Sequence, residues 1–111
     1  MPNLGYATKT VHTCNRKFVI HVLKLSNGCF VVVSEDSEKL GSMLAAISTN
    51  IPTTVTIIPD KNNPFFSQLI VKQVSSAING ICISSVYLLK TINAETIKTL
   101  MTHIMKLIQN D

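Results

Sequence analysis

Residues 17–25, KFVIHVLKL, offer apolar side chains to both sides of an extended chain. Successive side chains of a strand point to opposite faces. Phe18, Ile20 and Val22 therefore form one row, and Val19, His21, Leu23 and Leu25 the other. The run CFVVVS over 29–34 has the same two-sided character. An antiparallel sheet with one wet face shows clean alternation of apolar and polar residues instead. A fold containing these two strands must cover both sides of its sheet. Ser26-Asn27-Gly28 lies between the runs, and Asn-Gly is a strong hairpin signal, so a hairpin is predicted over 17–34.

The rest of the chain supplies further strands and two helices. Residues 1–5 read as a loose start, and 6–14 (YATKTVHTC) as a strand rich in Thr and Val. Glu35–Lys39 reads as a charged turn that ends near Gly41, and 42–48 fits helix or strand equally. Asn50-Ile51-Pro52 predicts a break, and the β-branched run 53–58 a strand. Asn63 suits a helix N-cap with Pro64 at the first helical position. Phe66, Leu69, Ile70, Val74, Ala77 and Ile78 then share one face of a helix to Ile78, ended by Asn79-Gly80 with the glycine left-handed. Residues 81–89 predict another two-sided strand. Asn93 caps a last helix with Glu95 in its first turn, and Ile97, Leu100, Met101, Ile104, Met105 and Ile108 form its apolar stripe.

The predicted architecture is α+β in a single domain over 1–111: one antiparallel sheet of about six strands with two amphipathic helices on one face. Two helices cover one side of such a sheet. No third long helix is predicted for the other, so the second face is available for dimerisation.

Composition narrows the function. The chain has 111 residues, 46% of them hydrophobic and only 14% charged, against about 25% charged in an average soluble domain. Mean hydropathy is +0.32. Disorder requires the opposite balance, and no apolar run approaches the length of a membrane-spanning helix. Spare apolar surface points to a protein partner. The net charge of +4 invites a nucleic-acid reading. However, the ten basic residues are scattered, only Arg16 and Lys17 are adjacent, and aromatic residues, at 5%, are too few for base stacking. Nucleic acid and membrane are therefore not expected as partners. Cys14, Cys29 and Cys82 are odd in number, and the first residues lack the features of a signal peptide, so a reduced, intracellular protein is expected.

Chemistry-bearing groups are sparse. His12-Thr13-Cys14 falls short of a four-ligand zinc set, and no Cys-x-x-Cys exists. Cys29 and His21 across the predicted hairpin have no orienting group or oxyanion site marked beside them. Glu35, Asp36 and Glu38 read as a solvated turn cluster rather than paired catalytic carboxylates. The four glycines, at 5, 28, 41 and 80, all fall at turns and form no phosphate loop. No enzyme, cofactor or metal is expected.

The order of elements resembles the small proteasome assembly chaperones, the family of chaperones 3 and 4, over roughly residues 17–109. Phe18-Val19-Ile20-His21-Val22-Leu23-Lys24-Leu25 is similar to that family's F-x-x-H-V-x-x-L strand, and Leu40–Ala46 to its short L-x-x-L-A-x-A stretch. Val33-Ser34 departs from the aromatic and glycine that commonly close the third strand there, and the region 59–66 is short. The resemblance implies a non-enzymatic, cytoplasmic chaperone, with nuclear residence compatible. It would pair with a chaperone 3-like protein or with itself, and bind alpha subunits of the 20S proteasome, especially the fifth, to promote alpha-ring formation. On this reading two sheets pack face to face at about 10 Å, with His21, Thr54, Thr56, Ser84 and Val86 toward the partner. The face assignment turns on strand register, because a slip of one residue reverses it. The alternative is a roadblock-like or profilin-like interaction scaffold in trafficking or cytoskeletal assembly, although roadblock chains begin with a helix.

Overall fold

The computed structural model describes residues 5–48 and 53–109. Eight elements follow in order: β1 (Gly5–Thr13), β2 (Arg16–Leu25), β3 (Gly28–Glu35), β4 (Ser42–Ile47), β5 (Thr53–Ile58), α1 (Pro64–Ile78), β6 (Ile81–Tyr87) and α2 (Ala94–Gln109). The strands form one sheet in the order β1-β2-β3-β6-β4-β5. The α+β architecture of six strands and two helices is the expected one. The predicted break at Asn50-Ile51-Pro52 and the loose start, Gly5 apart, lie outside the described residues.

The sheet is mixed rather than wholly antiparallel. β6 inserts between β3 and β4, antiparallel to β4 and parallel to β3. The cause is the helix that precedes it. β5 and β6 are both antiparallel to β4 and hence parallel to each other. A parallel return needs a crossover rather than a tight turn, and α1 supplies it. The ambiguous 42–48 stretch becomes a strand because it is paired on both sides, with β5 and β6.

The turns depart from expectation in instructive ways. Cys14 and Asn15 join β1 to β2 with φ of 53° and 59°, the double left-handed geometry of a type I′ hairpin turn. The β2–β3 turn consists of Ser26 and Asn27, and Gly28 already pairs with Leu25 as the first residue of β3. Gly28 is glycine because the start of β6 crosses close by: a Cβ there would lie 2.4 Å from the Ile81 carbonyl oxygen. At the end of α1 it is Asn79, not Gly80, that is left-handed. Asn63 occupies the N-cap position of α1, but its side chain makes no cap bond. Its Oδ1 accepts from the Ile92 N–H at 3.1 Å, while Asp60 Oδ1 accepts the Asn62 and Asn63 N–H groups. Asn93 does cap α2, accepting from the Thr96 N–H at 2.8 Å.

Both helices pack on one face of the sheet. Phe18, Ile20 and Val22 of β2, with Val31 and Val33 of β3, are fully buried against the helix layer, as the two-row reading requires. From α1 come Phe66, Ile70, Val71 and Val74, and from α2 come Leu100, Ile104 and Ile108. Ala77, placed on the buried face by its spacing, is exposed, and Val71 takes part in the core instead. Lys24 reaches the end of α2, where its Nζ donates to the Leu107 carbonyl at 3.1 Å, a favourable place for a cation.

One ion pair ties the sheet to the β6–α2 connection. Arg16 Nε donates to Glu35 Oε2 at 2.7 Å and Nη2 to Oε1 at 2.6 Å. The same guanidinium donates to the carbonyls of Lys90 and Thr91, and Glu35 Oε1 also accepts the Leu89 N–H. Glu35, expected on a solvated turn, is only 3% exposed. The Arg16 hydrogen bonds hold its carboxyl below the usual range, against the opposing effect of burial, with the Leu89 N–H assisting.

This packing sets the outcome of three substitutions. Arg16→Ala leaves a buried carboxylate unpaired and should cost about 3–5 kcal/mol in urea denaturation. Because the folded-state pKa of Glu35 is depressed, its stabilisation is whole above the ordinary value near 4.5 and is lost as pH falls from there through the depressed value; Glu35→Gln should remove this part of the acid sensitivity. Gly41→Ala would place a Cβ 2.0 Å from the Val86 carbonyl oxygen. It should cost about 1–3 kcal/mol and speed amide exchange in β4.

Candidate functional site: an open sheet face

The sheet face opposite the helices carries the second apolar row of every central strand. Val19, His21 and Leu23 of β2 pair with Ser34, Val32 and Phe30 of β3. Phe30 pairs with Ile83 of β6, and Ile83 with Ala45 of β4. Ala45 pairs with Val55 of β5, and Ile47 lies two residues further along the same row. No helix or strand among the described residues covers this face; the loop between β3 and β4 crosses only its end, where Glu38 meets His21, the Gly41 N–H donates to Ser85 Oγ, and Val19, Ser34 and Ser85 are buried. Leu23 is 41% exposed, Ile47 40% and Val55 54%. Phe30, Val32 and Ile83 are half-buried by one another. This is a continuous apolar surface across five strands, and such surfaces mark interaction sites.

A polar cluster borders the patch. The Tyr6 ring stacks on the His21 ring with centroids 5.7 Å apart, and the Tyr6 hydroxyl is hydrogen-bonded to His21 Nδ1. His21 Nε2 donates to Glu38 Oε1 at 2.5 Å. With Nε2 donating, Nδ1 is left to accept from the hydroxyl. The cluster joins β1, β2 and the loop after β3, and it orients the imidazole along the sheet surface.

The residues expected to face a partner do not share one face. His21 is on the open side. Thr54 and Thr56 are exposed on the edge strand β5, but they pair with Ala46 and Leu44, on the helix side. Ser84 and Val86 are buried under the helix layer at 0% and 3% exposure, and so present no surface. Strand register accounts for this correction. α1 packs Phe66, Ile70 and Val74 over β4 and β6, whose buried helix-side residues are Leu44, Ala46, Cys82, Ser84 and Val86, with the small Ala46, Cys82 and Ser84 making room for its side chains. The larger Ile81 and Ile83 turn outward. The small Ala46, Cys82 and Ser84, set against the large α1 side chains, were the available signal for this choice.

The other candidate groups are dispersed. Cys29 and His21 lie on opposite faces of β2–β3 and form no catalytic pair. Cys29 instead sits beside Cys82 in the parallel register. The hydrogen bond with Cys29, together with burial, pushes the Cys82 thiol well above the usual thiol range. Cys14 is exposed in the β1–β2 turn. Among the described residues, no three His, Cys, Asp or Glu side chains gather to hold a metal ion, and no helix is long and apolar enough to cross a membrane.

Comparison with known proteins places the fold. No protein-family model matches the chain, and no curated protein sequence matches it. Among solved structures, the chain is similar to one in the crystal structure of a novel chaperone complex for yeast 20S proteasome assembly. The two superpose with a TM-score of 0.71 at 9% sequence identity, over 93% of this chain and 98% of that one. At this identity the likeness is one of fold, over nearly the whole of both chains.

Proposed function

We propose that this chain is a non-enzymatic assembly chaperone of the 20S proteasome. It pairs through its open sheet face with a second small chaperone, or with a second copy of itself, and the pair binds alpha subunits, the fifth above all, to promote alpha-ring formation in the cytoplasm. The observation that carries the reading is the uncovered apolar face, in a fold shared end to end with a chain of a proteasome assembly chaperone complex. Sheet-on-sheet packing would bury Leu23, Phe30, Val32 and Ile83 in a dry layer about 10 Å thick. At about 25 cal/mol per Å² of apolar surface removed from water, such burial is the main driving force available to this chain. The Tyr6–His21–Glu38 cluster would sit at the polar rim of that interface. Thr54 and Thr56 remain exposed on the edge strand β5, outside that layer.

A tagged pull-down from the native cell, with mass spectrometry and native sizing, tests the reading. Recovery of a second small chaperone with proteasome alpha subunits, and few mature beta subunits, supports it. A clean monomer that brings down neither overturns it. Leu23→Lys with Ile47→Lys should reduce the recovered chaperone partner at least about tenfold, a loss of roughly 1.4 kcal/mol or more. Both positions are already exposed in the single chain, so its melting temperature should stay within about 3 °C of the parent, consistent with the small effect of most surface substitutions.

A further inference from the structure

The helix layer carries a second apolar surface, on the side of the molecule away from the open sheet face. A groove of about 660 Å³ runs between α1 and α2. All its described lining residues belong to the two helices, so it opens on the outside of the layer. Leu69 of α1 and Ile97, Met101 and Met105 of α2 form its apolar lining, and Phe65 stands at its α1 wall, 64% exposed. On α2 the lining extends from Ala94 to Gln109, about four turns or 22 Å of helix. This explains why the α2 stripe is wider than the core requires: Leu100, Ile104 and Ile108 are buried, while Ile97 and Met105 are left half-exposed in the groove.

The groove is positively charged. Lys98 and Lys106 line its α2 side, about 12 Å apart along the helix. Among the described residues, no Asp or Glu lines it. Neither lysine has an ion-pair partner among the described residues. A second copy of this chain is a poor occupant, because α2 would bring Lys98 and Lys106 against the same two lysines. We propose that the groove docks an amphipathic helix of a partner protein, with aliphatic anchors on one face and Glu or Asp along its flanks. Helix-in-groove recognition uses anchors at i, i+3 or i+4, and i+7, a spacing that a slot of about four turns accommodates. Phe65 is the exposed aromatic anchor, of the kind that dominates such interfaces. The lysines select the acidic partner and exclude basic ones. This site does not depend on pairing through the sheet, and a chain paired through its sheet would still present the groove to solvent.

The test uses two labelled helical peptides of about 18 residues, long enough to fill the groove. Both carry Leu anchors at i, i+3 and i+7; one has Glu and the other Lys on the flanks. By fluorescence anisotropy with the full chain, the Glu peptide should bind at least about tenfold more tightly than the Lys peptide. Its affinity should fall with added salt. Lys98→Glu with Lys106→Glu should reverse the preference, and the uncharged Phe65→Ser should weaken both peptides about tenfold. All three residues are exposed, and circular dichroism checks that the variants remain folded. Amide shifts on binding should map to α1 and α2. Equal binding of the two peptides, no binding of the Glu peptide at millimolar concentration, a preference unchanged by charge reversal, or shifts confined to the open sheet face would each overturn the proposal.

Discussion

A sheet whose strands are apolar on both sides needs two covers, and this chain's two helices supply one. That single shortfall organises the molecule. α1 must cross from β5 back to β6, so it lies over β4 and β6. α2 follows β6 and lies over β1 and β2 beside it. Once both helices are on the same side, they bury the inward row of each strand, and the second apolar row of the strands is left facing outward. Leu23, Phe30, Ile83 and Val55 are exposed to the degree they are because no described element lies over them. The open face is thus a consequence of connectivity and strand register, and not of any local polarity in the strands.

The Arg16–Glu35 pair shows how a mixed sheet of this order is held at its end. β2 begins and β3 ends there, and the chain leaves β6 beside them on its way to α2. One guanidinium and one carboxylate satisfy two carbonyls and an N–H in that exit, at Lys90, Thr91 and Leu89. Asp60 and Asn63 do comparable work where the chain enters α1. Asp60 collects two backbone N–H groups and accepts from the Ser42 hydroxyl, and Asn63 reaches across to Ile92. Each joint links segments far apart in sequence. Helix caps and turn clusters can be read from neighbouring residues. These joints could not, which is why Glu35 looked like a solvated turn residue and Asn63 like an ordinary cap.

Much of the fold was legible because its signals are local. The two-row pattern of 17–25 and the three-and-four spacing of both helices need only a few neighbouring residues to be read, and the structure follows them. The parallel β3–β6 pairing was not legible, since the crossover through α1 separates those strands by more than forty residues. The β1–β2 turn was missed because Cys14-Asn15 is an unusual pair for a left-handed hairpin, whereas Asn27-Gly28 advertised a geometry that the chain does not use. The candidate site divides along the same line. The β2 row of Val19, His21 and Leu23 was readable from period two alone. The outward rows of β4, β5 and β6 depend on which face the helices occupy, and small polar residues such as Ser84 were given to the open face when α1 required them beneath it. Ser84 Oγ is buried without a hydrogen-bond partner, a cost that the close approach of α1 outweighs.

The two apolar surfaces differ in the partner they can accept. The open sheet face is broad and largely apolar, with the Tyr6–His21–Glu38 cluster at one border and Ser34 and Ser85 buried under the loop between β3 and β4. It offers area and shape but little electrostatic discrimination, which suits a partner with a matching sheet that stays bound. The helix groove is narrow, flanked by lysines and anchored by one exposed aromatic. It offers less area and more selectivity by charge, which suits an occupant that comes and goes. Because the sheet separates the two surfaces, occupying one leaves the other accessible. A pair joined through its sheets would therefore carry its grooves on opposite outer sides, with the apolar bulk hidden between them and the charge-selective sites exposed.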